Sequence, residues 1–406
     1  MITPAYAPTA TERVLPRMAL DFTTGVLDPR VTVTRALNTA TRVNSSGAIE
    51  IVNANLPRFD YDPATLAPKG LLIEETRTNI LLQSSDFANV VWTKANSSVS
   101  SDVIISPDGT QNADKLVENS ANTTHGVSQS PLLTAGTHTQ TIFAKAAERN
   151  WLRIICADGG AYVNLSTGVF GTVSAGTVSF AAKSIKNYGN GWYRIEVSFT
   201  AVLGANTILI RLATSDGGQT YLGNGVSGAY VWGAQLEAGA FATSYIPTTT
   251  TSLTRNADVV SMTGTNFSDW YNSTSGAILA RSSQSVITGT RPSIYISDGT
   301  ANNIISLRGL AANPELYIKA TTDQAQIDAG TLTANSSFGL VGAWATNNCA
   351  AAINGGAAVT DTSATIPTVN QMLIGSDGTN YLNGQIERIS YWLQRIINAE
   401  AQAFSK

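Results

Sequence analysis

The sequence predicts an all-β protein: two tandem β-sandwich (jelly-roll) domains after an extended N-terminal anchoring segment, with a short C-terminal helix. Short segments that alternate apolar and polar residues recur between turn residues along most of the 406-residue chain. Helical periodicity is confined to a stretch near residues 397–404. Hydrophobic residues make up 43% of the chain, enough for two cores, whereas charged residues make up only 13%, about half the usual share.

The N-terminal part divides into two regions. Residues 1–17 are polar and rich in proline, which predicts an extended arm that becomes ordered against a partner. Residues 18–83 contain short strand-like pieces and too little apolar surface for a core of their own. They are dense in arginine and carboxylate residues, which form geometrically specific pairs. We therefore predict an anchoring and oligomerisation segment, whose candidate interface residues are Arg30, Arg42, Arg58, Asp60, Asp62, Glu74 and Arg77.

Residues 84–250 contain a complete set of strands for one sandwich, separated by glycine-containing turns. Trp192 and Trp232 lie in alternating strands and are expected to be buried. The predicted strands are 113–117, 138–144, 151–157, 161–165, 183–188, 193–200, 207–214 and 229–237.

Residues 251–266 are polar and read as an extended linker, and residues 267–406 repeat the strand pattern of a second sandwich. The predicted strands of the second sandwich are 276–280, 293–296, 304–307, 316–319, 338–344, 349–353, 372–374 and 384–392. The helix over about 397–404 follows them.

Four motifs follow one another in the N-terminal segment. They are Leu20-Asp21-Phe22-Thr23-Thr24-Gly25, Ala40-Thr41-Arg42-Val43-Asn44, Pro57-Arg58-Phe59-Asp60-Tyr61-Asp62-Pro63, and Lys69-Gly70-Leu71-Leu72-Ile73-Glu74-Glu75-Thr76-Arg77-Thr78-Asn79. This succession resembles the N-terminal signature of a widespread group of tailed-phage and prophage structural proteins. In that group it is usually followed by a carbohydrate-binding-module-like jelly roll, whose closing motif resembles Val231-Trp232-Gly233-Ala234-Gln235-Leu236-Glu237 and Tyr245-Ile246-Pro247-Thr248.

A second likeness lies near the C-terminal end. Ala352-Ile353-Asn354-Gly355-Gly356, Leu373-Ile374-Gly375-Ser376 and the stretch from Asn383 to Trp392 resemble the second half of a concanavalin A/laminin-G-like jelly roll. This likeness concerns the fold and does not specify an activity.

The two resemblances together imply a phage virion structural protein on the exterior of the particle, as a tail fibre or as a head fibre or appendage. They imply a homotrimer that contacts other virion proteins through its N-terminal segment and bacterial surface glycans through its β domains. A capsid decoration protein without a ligand and a polysaccharide depolymerase remain as alternatives.

Catalytic motifs are missing from the sequence. His125 and His138 are not in a paired metal-ligand spacing and are expected at the surface. A glycosidase needs two carboxylates beside the scissile bond, whereas Glu74 and Glu75 are adjacent and would point to opposite faces of a strand. We therefore expect no enzyme, with no catalytic, cofactor-binding or metal-binding residues.

Four Asp-Gly pairs, at 108–109, 216–217, 298–299 and 377–378, fit tight turns. The alternative hypothesis is that aspartate oxygens at one rim of a sandwich bind calcium. Calcium requires several convergent oxygen ligands, and the sequence alone does not show whether these oxygens converge.

Aromatic side chains are the candidates for glycan binding, because sugar rings stack on aromatic faces while amides and carboxylates bind their hydroxyls. Core packing is the alternative for most of them. The candidates are Trp151, Tyr162, Tyr193 and Tyr221, which lie among polar residues in the first sandwich.

Bulk properties exclude several classes of partner. The net charge is −3 and basic residues do not cluster, so no nucleic-acid partner is expected. No run of about 18 apolar residues predicts membrane insertion, and the first residues do not resemble a secretory signal. Cys156 and Cys349 are predicted to be buried free thiols.

Overall fold

The computed structural model describes residues 15–174 and 180–406 and confirms the all-β class with sandwich sheets and a short C-terminal helix. The arm predicted over residues 1–17 lies outside the described residues except for residues 15–17. No helix in the described ranges is long and apolar enough to cross a membrane.

The N-terminal segment contains seven short strands and one 3₁₀ turn, Phe22–Thr24, which Asp21 caps by accepting the Thr23 backbone N–H at 3.0 Å. The strands are β1 (Met18–Asp21), β2 (Thr32–Thr34), β3 (Ala40–Val43), β4 (Ile49–Val52), β5 (Phe59–Tyr61), β6 (Pro68–Ile73) and β7 (Arg77–Asn79).

The middle sandwich contains β8 to β23. Sheet 1 has the order β18-β19-β14-β23-β10-β9, and sheet 2 has the order β17-β16-β15-β21-β12-β8. The strands are β8 (Thr93–Ala95), β9 (Ser97–Ile105), β10 (Gln111–Glu118), β11 (Asn122–Thr123), β12 (Gly126–Gln129), β13 (Leu132–Leu133), β14 (Gly136–Ala146), β15 (Trp151–Cys156), β16 (Gly159–Asn164), β17 (Val169–Ser174), β18 (Phe180–Asn187), β19 (Trp192–Ala201), β20 (Gly204–Ala205), β21 (Ile208–Ala213), β22 (Tyr221–Leu222) and β23 (Gly228–Ala238).

The remaining elements belong mainly to the C-terminal sandwich. They are β24 (Leu253–Arg255), β25 (Val259–Thr263), α1 (Thr265–Ser268), β26 (Ser275–Gln284), β27 (Thr290–Ser297), β28 (Asn303–Leu310), β29 (Asn313–Ala320), β30 (Thr322–Asp328), β31 (Ser337–Ala345), β32 (Asn348–Ile353), β33 (Val359–Asp361), β34 (Gln371–Ile374), β35 (Gly384–Trp392) and α2 (Asn398–Phe404).

Alternation of side chains across each sheet produces one core in each sandwich. Two smaller apolar clusters lie beside them, and one of these contains Trp192 and Trp232 together with Val43 and Ile49. Leu152, Ile154, Ile195 and Val197 belong to the core between sheets 1 and 2. Trp192 and Trp232 are buried as predicted. Both cysteines are free and buried, which confirms that prediction, and burial raises the pKa of Cys349 to about 11.

The N-terminal segment completes the C-terminal sandwich of its own chain. β1 and β6 both pair with β35, and β5 extends that edge, so sheet 3 contains β33-β32-β31-β26-β35-β6-β5 together with β1. β2 pairs with β25 at the edge of sheet 4, β2-β25-β34-β27-β28-β29-β30. Leu20, Phe22 and Ile73 are buried in the same core as Trp344 and Tyr391. The segment thus gains its core from residues more than 200 positions away.

The region predicted as a linker, 251–266, forms strands instead. β24 pairs with β7, and β25 lies between β2 and β34 in sheet 4. Val260 and Met262 are fully buried, and this spacing of two is the alternation of a half-buried strand. The linker prediction was wrong because the threonine-rich stretch before β24 made the whole region look polar, although the alternation in β25 spans only a few residues.

The charged residues that we expected at an interface between subunits are partly inside this chain, which corrects that prediction. Arg58 donates to Glu74 Oε2 at 2.7 Å and also pairs with Asp258. Arg35 pairs with the same Asp258 at 2.9 Å, and Arg255 lies 3.6 Å from Glu74. All five side chains are at most 7% exposed. We call this set the buried ion network.

The other five interface candidates also form their contacts within the chain. Buried Asp60 accepts the Val43 N–H and the Gln385 amide, each at 2.9 Å, and burial raises its pKa. Arg77 pairs with Glu75 at 2.7 Å. On the partly exposed surface, Arg30 and Arg42 pair with nearby Asp28 and Glu50, and Asp62 accepts the N–H groups of its own turn.

Replacement of Asp258 by Asn should lower the free energy of unfolding by about 3–5 kcal/mol, because two buried arginines lose their shared carboxylate. Urea denaturation measures this change. The matched control is Glu148→Gln, which removes the exposed partner of Lys115 and should cost less than about 1 kcal/mol. Equal effects of the two variants would contradict the role of the network.

Stability should fall in acid through Glu74. Burial alone would raise the pKa of this carboxyl, but Arg255 and Arg58 lower it to about 2. Since the folded pKa lies below the unfolded one, the contribution is complete above about pH 4.5 and is lost as the pH falls through about 2. Urea titrations between pH 7 and pH 2.5 should therefore show a difference between wild type and Glu74→Gln that shrinks on acidification. A difference independent of pH would contradict this assignment.

Candidate functional site

The outer face of sheet 2 gathers the polar and aromatic side chains that best suit a binding site. Leu152, Ile154, Val163 and Ile210 point into the core, so the alternation of each strand directs its intervening residues to the opposite face. The residues of that outer face on β15, β16 and β21 are Trp151, Arg153, Ile155, Gly160, Tyr162, Asn164, Leu209, Arg211 and Ala213.

Arg153 lies at the centre of this face. The register places it directly opposite Tyr162 on one side and Arg211 on the other. Its guanidinium lies over the Tyr162 ring, 5.3 Å from the centroid, as in a cation–π pair. Arg153 also donates to Ser174 Oγ at 2.6 Å. Tyr162 is 5% exposed, so its ring supports the arginine and is not itself an open stacking surface.

Trp151 is the candidate stacking surface of this face. Six of the seven tryptophans are buried, whereas Trp151 is partly exposed. It lies two residues from Arg153 and opposite Asn164 and Ala213. Its indole N–H has no hydrogen-bond partner among the described residues. An aromatic plane beside an amide and a guanidinium matches the mixed apolar and polar surface of a sugar.

The loop 214–220 lies along this face. Gln219 Oε1 accepts from Arg153 at 2.8 Å and from Arg211 at 3.1 Å. Asp216 accepts the Thr172 N–H at 2.8 Å, which ties the loop to the edge strand β17. The loop therefore holds both guanidinium groups in place with a neutral oxygen.

The two other aromatic candidates lie elsewhere. Tyr193 packs at the rim of the middle core, where its ring closely approaches Gly168. The Tyr221 hydroxyl donates to Glu118 at 2.8 Å, and Arg149 lies over its ring. Of the four candidates, the structure thus brings together Trp151 and Tyr162 alone.

The two histidines are buried, contrary to the expected surface position. His125 is fully buried, with its ring 4.8 Å from that of Tyr221 and its Nδ1 2.7 Å from the carbonyl oxygen of Asn96. His138 is 2% exposed and lies beside Phe199. The surface position was predicted from the polar residues next to each histidine in the sequence. That prediction was wrong because these neighbours occupy the other face of the strand or the adjoining loop.

The Asp-Gly pairs form turns in which the glycine has a positive φ, 83° at Gly109 and 87° at Gly299. Three of the four aspartates bind their own turns: Asp108 accepts from Thr110 and Ser106, Asp298 from Thr300 and Asn303, and Asp377 from Thr379 and Asn380. Asp216 instead accepts from Thr172 on β17. In residues 15–174 and 180–406 no three His, Cys, Asp or Glu side chains gather as a possible metal site.

Asp114 carries a buried carboxyl group of the middle sandwich. Burial raises its pKa to about 6, although it accepts two backbone N–H groups. The donors are the backbone N–H groups of Phe87 at 2.7 Å and Asp102 at 3.0 Å. Asp114 lies at a register shift in the pairing of β9 with β10, between Ala113 and Lys115. These contacts indicate that Asp114 stabilises the irregular edge of sheet 1 and has a structural role.

A cavity of about 700 Å³ lies where the N-terminal segment meets both sandwiches. Its walls carry charges of both signs, including Lys69, Lys186, Asp62 and Glu196. Burial and the nearby Lys186 lower the pKa of Lys69. The lining also includes the partly exposed Tyr188, but Lys186 Nζ lies over its ring, 5.4 Å from the centroid. The mixture of charges and this covered ring make the cavity a weaker candidate than the outer face of sheet 2.

The sequence prediction missed Arg153, Arg211 and Gln219. The available signal was an arginine at a polar position of two strongly alternating strands, with no carboxylate next to it in either strand. The register that brings the two arginines together links positions 58 residues apart and is not readable from either strand alone.

Comparison with known proteins shows limited similarity. No family model matches the chain, and no curated protein matches it. A sialidase of Trypanosoma rangeli in complex with 2,3-difluorosialic acid aligns over 77% of this chain and 62% of its own, with 9% identity and a TM-score of 0.28. The same sialidase with the inhibitor DANA aligns over 94% and 61%, with 8% identity and a TM-score of 0.28.

Domains LG4-5 of the mouse laminin α1 chain align over 84% of this chain and 92% of their own, with 8% identity and a TM-score of 0.24. The chain spans about three-fifths of the length of the sialidases. Similarity at this level carries no argument about the fold or the activity of this chain.

Proposed function

We propose that this chain is a non-enzymatic structural protein of a phage virion that attaches to glycans on the bacterial surface through the outer face of sheet 2. The observation that carries the binding role is the partial exposure of Trp151 beside Arg153 on the outer face of sheet 2. The other six tryptophans of the chain are buried. The virion role rests on the motif succession of residues 20–79 and its likeness to tailed-phage structural proteins.

The role of the N-terminal motifs differs from the first expectation. Arg58 and Glu74 lie in the buried ion network, so in this proposal the motif segment anchors the two sandwiches to each other. Attachment to other virion proteins is then assigned to residues 1–17 and to the exposed surface of the N-terminal segment, which includes Arg30 and Arg42.

We further propose a homotrimer, since several weak sites on one appendage gain strength through multivalency. Light scattering of the purified chain tests this: the expected mass is three times the 42.7 kDa of one chain. A stable mass of one chain would contradict the trimer.

The binding role predicts that Trp151→Ala reduces affinity for host-surface polysaccharide about tenfold, because the variant loses the aromatic plane. Co-sedimentation with the insoluble polysaccharide fraction of the host measures the affinity. Tyr295→Ala, which removes a partly exposed aromatic ring from the C-terminal sandwich, is the matched control and should bind as wild type does. Undiminished binding by the Trp151 variant, or no binding by wild type, would refute the assigned face.

The virion role predicts that gold-labelled antibody against this chain marks the outside of intact phage particles in electron micrographs. Particles from a phage whose gene for this chain is deleted are the control. Absence of the chain from purified particles would contradict the virion role and leave the glycan-binding face to be judged by the preceding experiment.

A further inference from the structure

Arg153 and Arg211 face each other across β15 and β21 as directly opposed residues. No Asp or Glu of residues 15–174 or 180–406 forms an ion pair with either guanidinium. Like charges placed directly opposite each other in a sheet destabilise it. The repulsion within this pair therefore lowers folding stability, and no carboxylate of the described residues offsets it.

Elsewhere in the described chain, comparable arginines have carboxylates. Arg308 lies over Tyr317 at 3.7 Å, as Arg153 lies over Tyr162, but there Glu315 accepts from the guanidinium at 2.5 Å. Arg281 and Arg388 are also opposed across two strands, and Asp21 lies 3.5 Å from Arg388. The Arg153–Arg211 pair lacks the negative group that these two arrangements contain.

The groups around the pair hold it without neutralising it. Gln219 Oε1 accepts from both guanidinium groups, and the carboxylate of the same loop, Asp216, is bound to Thr172. Burial, followed by the charge of Arg153, lowers the pKa of Arg211. The remaining N–H groups of Arg211 have no partner among the described residues and are available to an acceptor from outside.

We propose that Arg153 and Arg211 bind the anionic group of an acidic sugar residue while Trp151 stacks on the sugar ring. The shared chemistry is a pair of anionic oxygens, supplied by a uronate carboxylate or by a sugar-linked phosphate, which arginine binds in a planar, bidentate manner. This inference rests on the proposed glycan-binding function and adds to it the class of ligand.

Calorimetric titration of the full chain with an oligoglucuronate of about six residues, its carboxyl-reduced form and a hexosamine polymer linked through phosphodiesters tests the inference. Wild type should bind the oligoglucuronate or the phosphate polymer at least about tenfold more tightly than the carboxyl-reduced form. The polymer that binds identifies the source of the anion. Raising the salt from 50 to 300 mM should weaken this binding, because the charges are solvent-accessible.

Arg153→Gln and Arg211→Gln should each remove about tenfold of the preference for the acidic ligand. Arg388→Gln is the matched control: it removes one positive charge from an exposed position of sheet 3 and should leave binding unchanged. The melting temperature of Arg211→Gln should equal or exceed that of wild type, because the variant relieves the repulsion between the two arginines. An unchanged or higher melting temperature would show that the Arg211→Gln variant is folded, so that its weaker binding comes from the loss of the guanidinium.

Equal affinity for the acidic and carboxyl-reduced ligands would overturn the inference, and so would a preference that survives both arginine substitutions. In either case, binding of host polysaccharide that depends on Trp151 would leave the proposed function standing. Failure of all three probes to bind would also overturn the inference, and the Trp151 experiment then decides separately whether the face binds glycans.

Discussion

The shared ion pairs of Asp258 with Arg35 and Arg58 are the constraint on which the arrangement of the whole chain depends. Asp258 lies between β24 and β25, Arg58 immediately precedes β5, and Glu74 follows β6. Ser244, at the end of the middle sandwich, donates both its N–H and its hydroxyl to Glu74 at 2.7 Å. The network thus connects the N-terminal segment, the middle sandwich and the C-terminal sandwich at one buried point. Burial of charges is costly unless each is paired and hydrogen-bonded, so this junction favours one arrangement of the three parts.

Local sequence pattern predicted most strands because alternation and turn residues act over a few positions. All eight strands predicted in each sandwich have counterparts, and the predicted helix near 397–404 corresponds to α2. Polar strands were missed: β9 has the sequence SSVSSDVII and is mostly exposed, so it has no apolar face to reveal it. Long-range pairing was also beyond local reasoning, since β1 pairs with β35 about 370 positions away. The same distance effect led us to assign Arg58 and Glu74 to a subunit interface, because their partner Asp258 lies 200 and 184 positions from them.

Only part of the candidate site could be predicted from the sequence, because some of its residues come together only through long-range strand pairing. Trp151 and Tyr162 stood out as aromatic residues among polar neighbours, and composition alone drew attention to them. Arg153 and Arg211 acquire meaning only when the register sets them opposite each other, and Gln219 enters from a loop. Tyr193 and Tyr221 had the same sequence signal as Trp151 but are engaged in packing and in a hydrogen bond to buried Glu118. Aromatic character identifies candidates, and the partners of each ring decide between core and surface.

Buried ion pairs connect the two sandwiches to the N-terminal segment, and the proposed binding face is the outer face of sheet 2. Hydrogen–deuterium exchange of the full chain, with and without host-surface polysaccharide, tests this claim most directly, because it locates protection without assuming a ligand class. The account predicts slower exchange in β15, β16 and β21 and in the loop 214–220, with sheets 3 and 4 unchanged. Protection confined to the C-terminal sandwich or to the cavity beside Lys69, with β15, β16 and β21 unaffected, would contradict it.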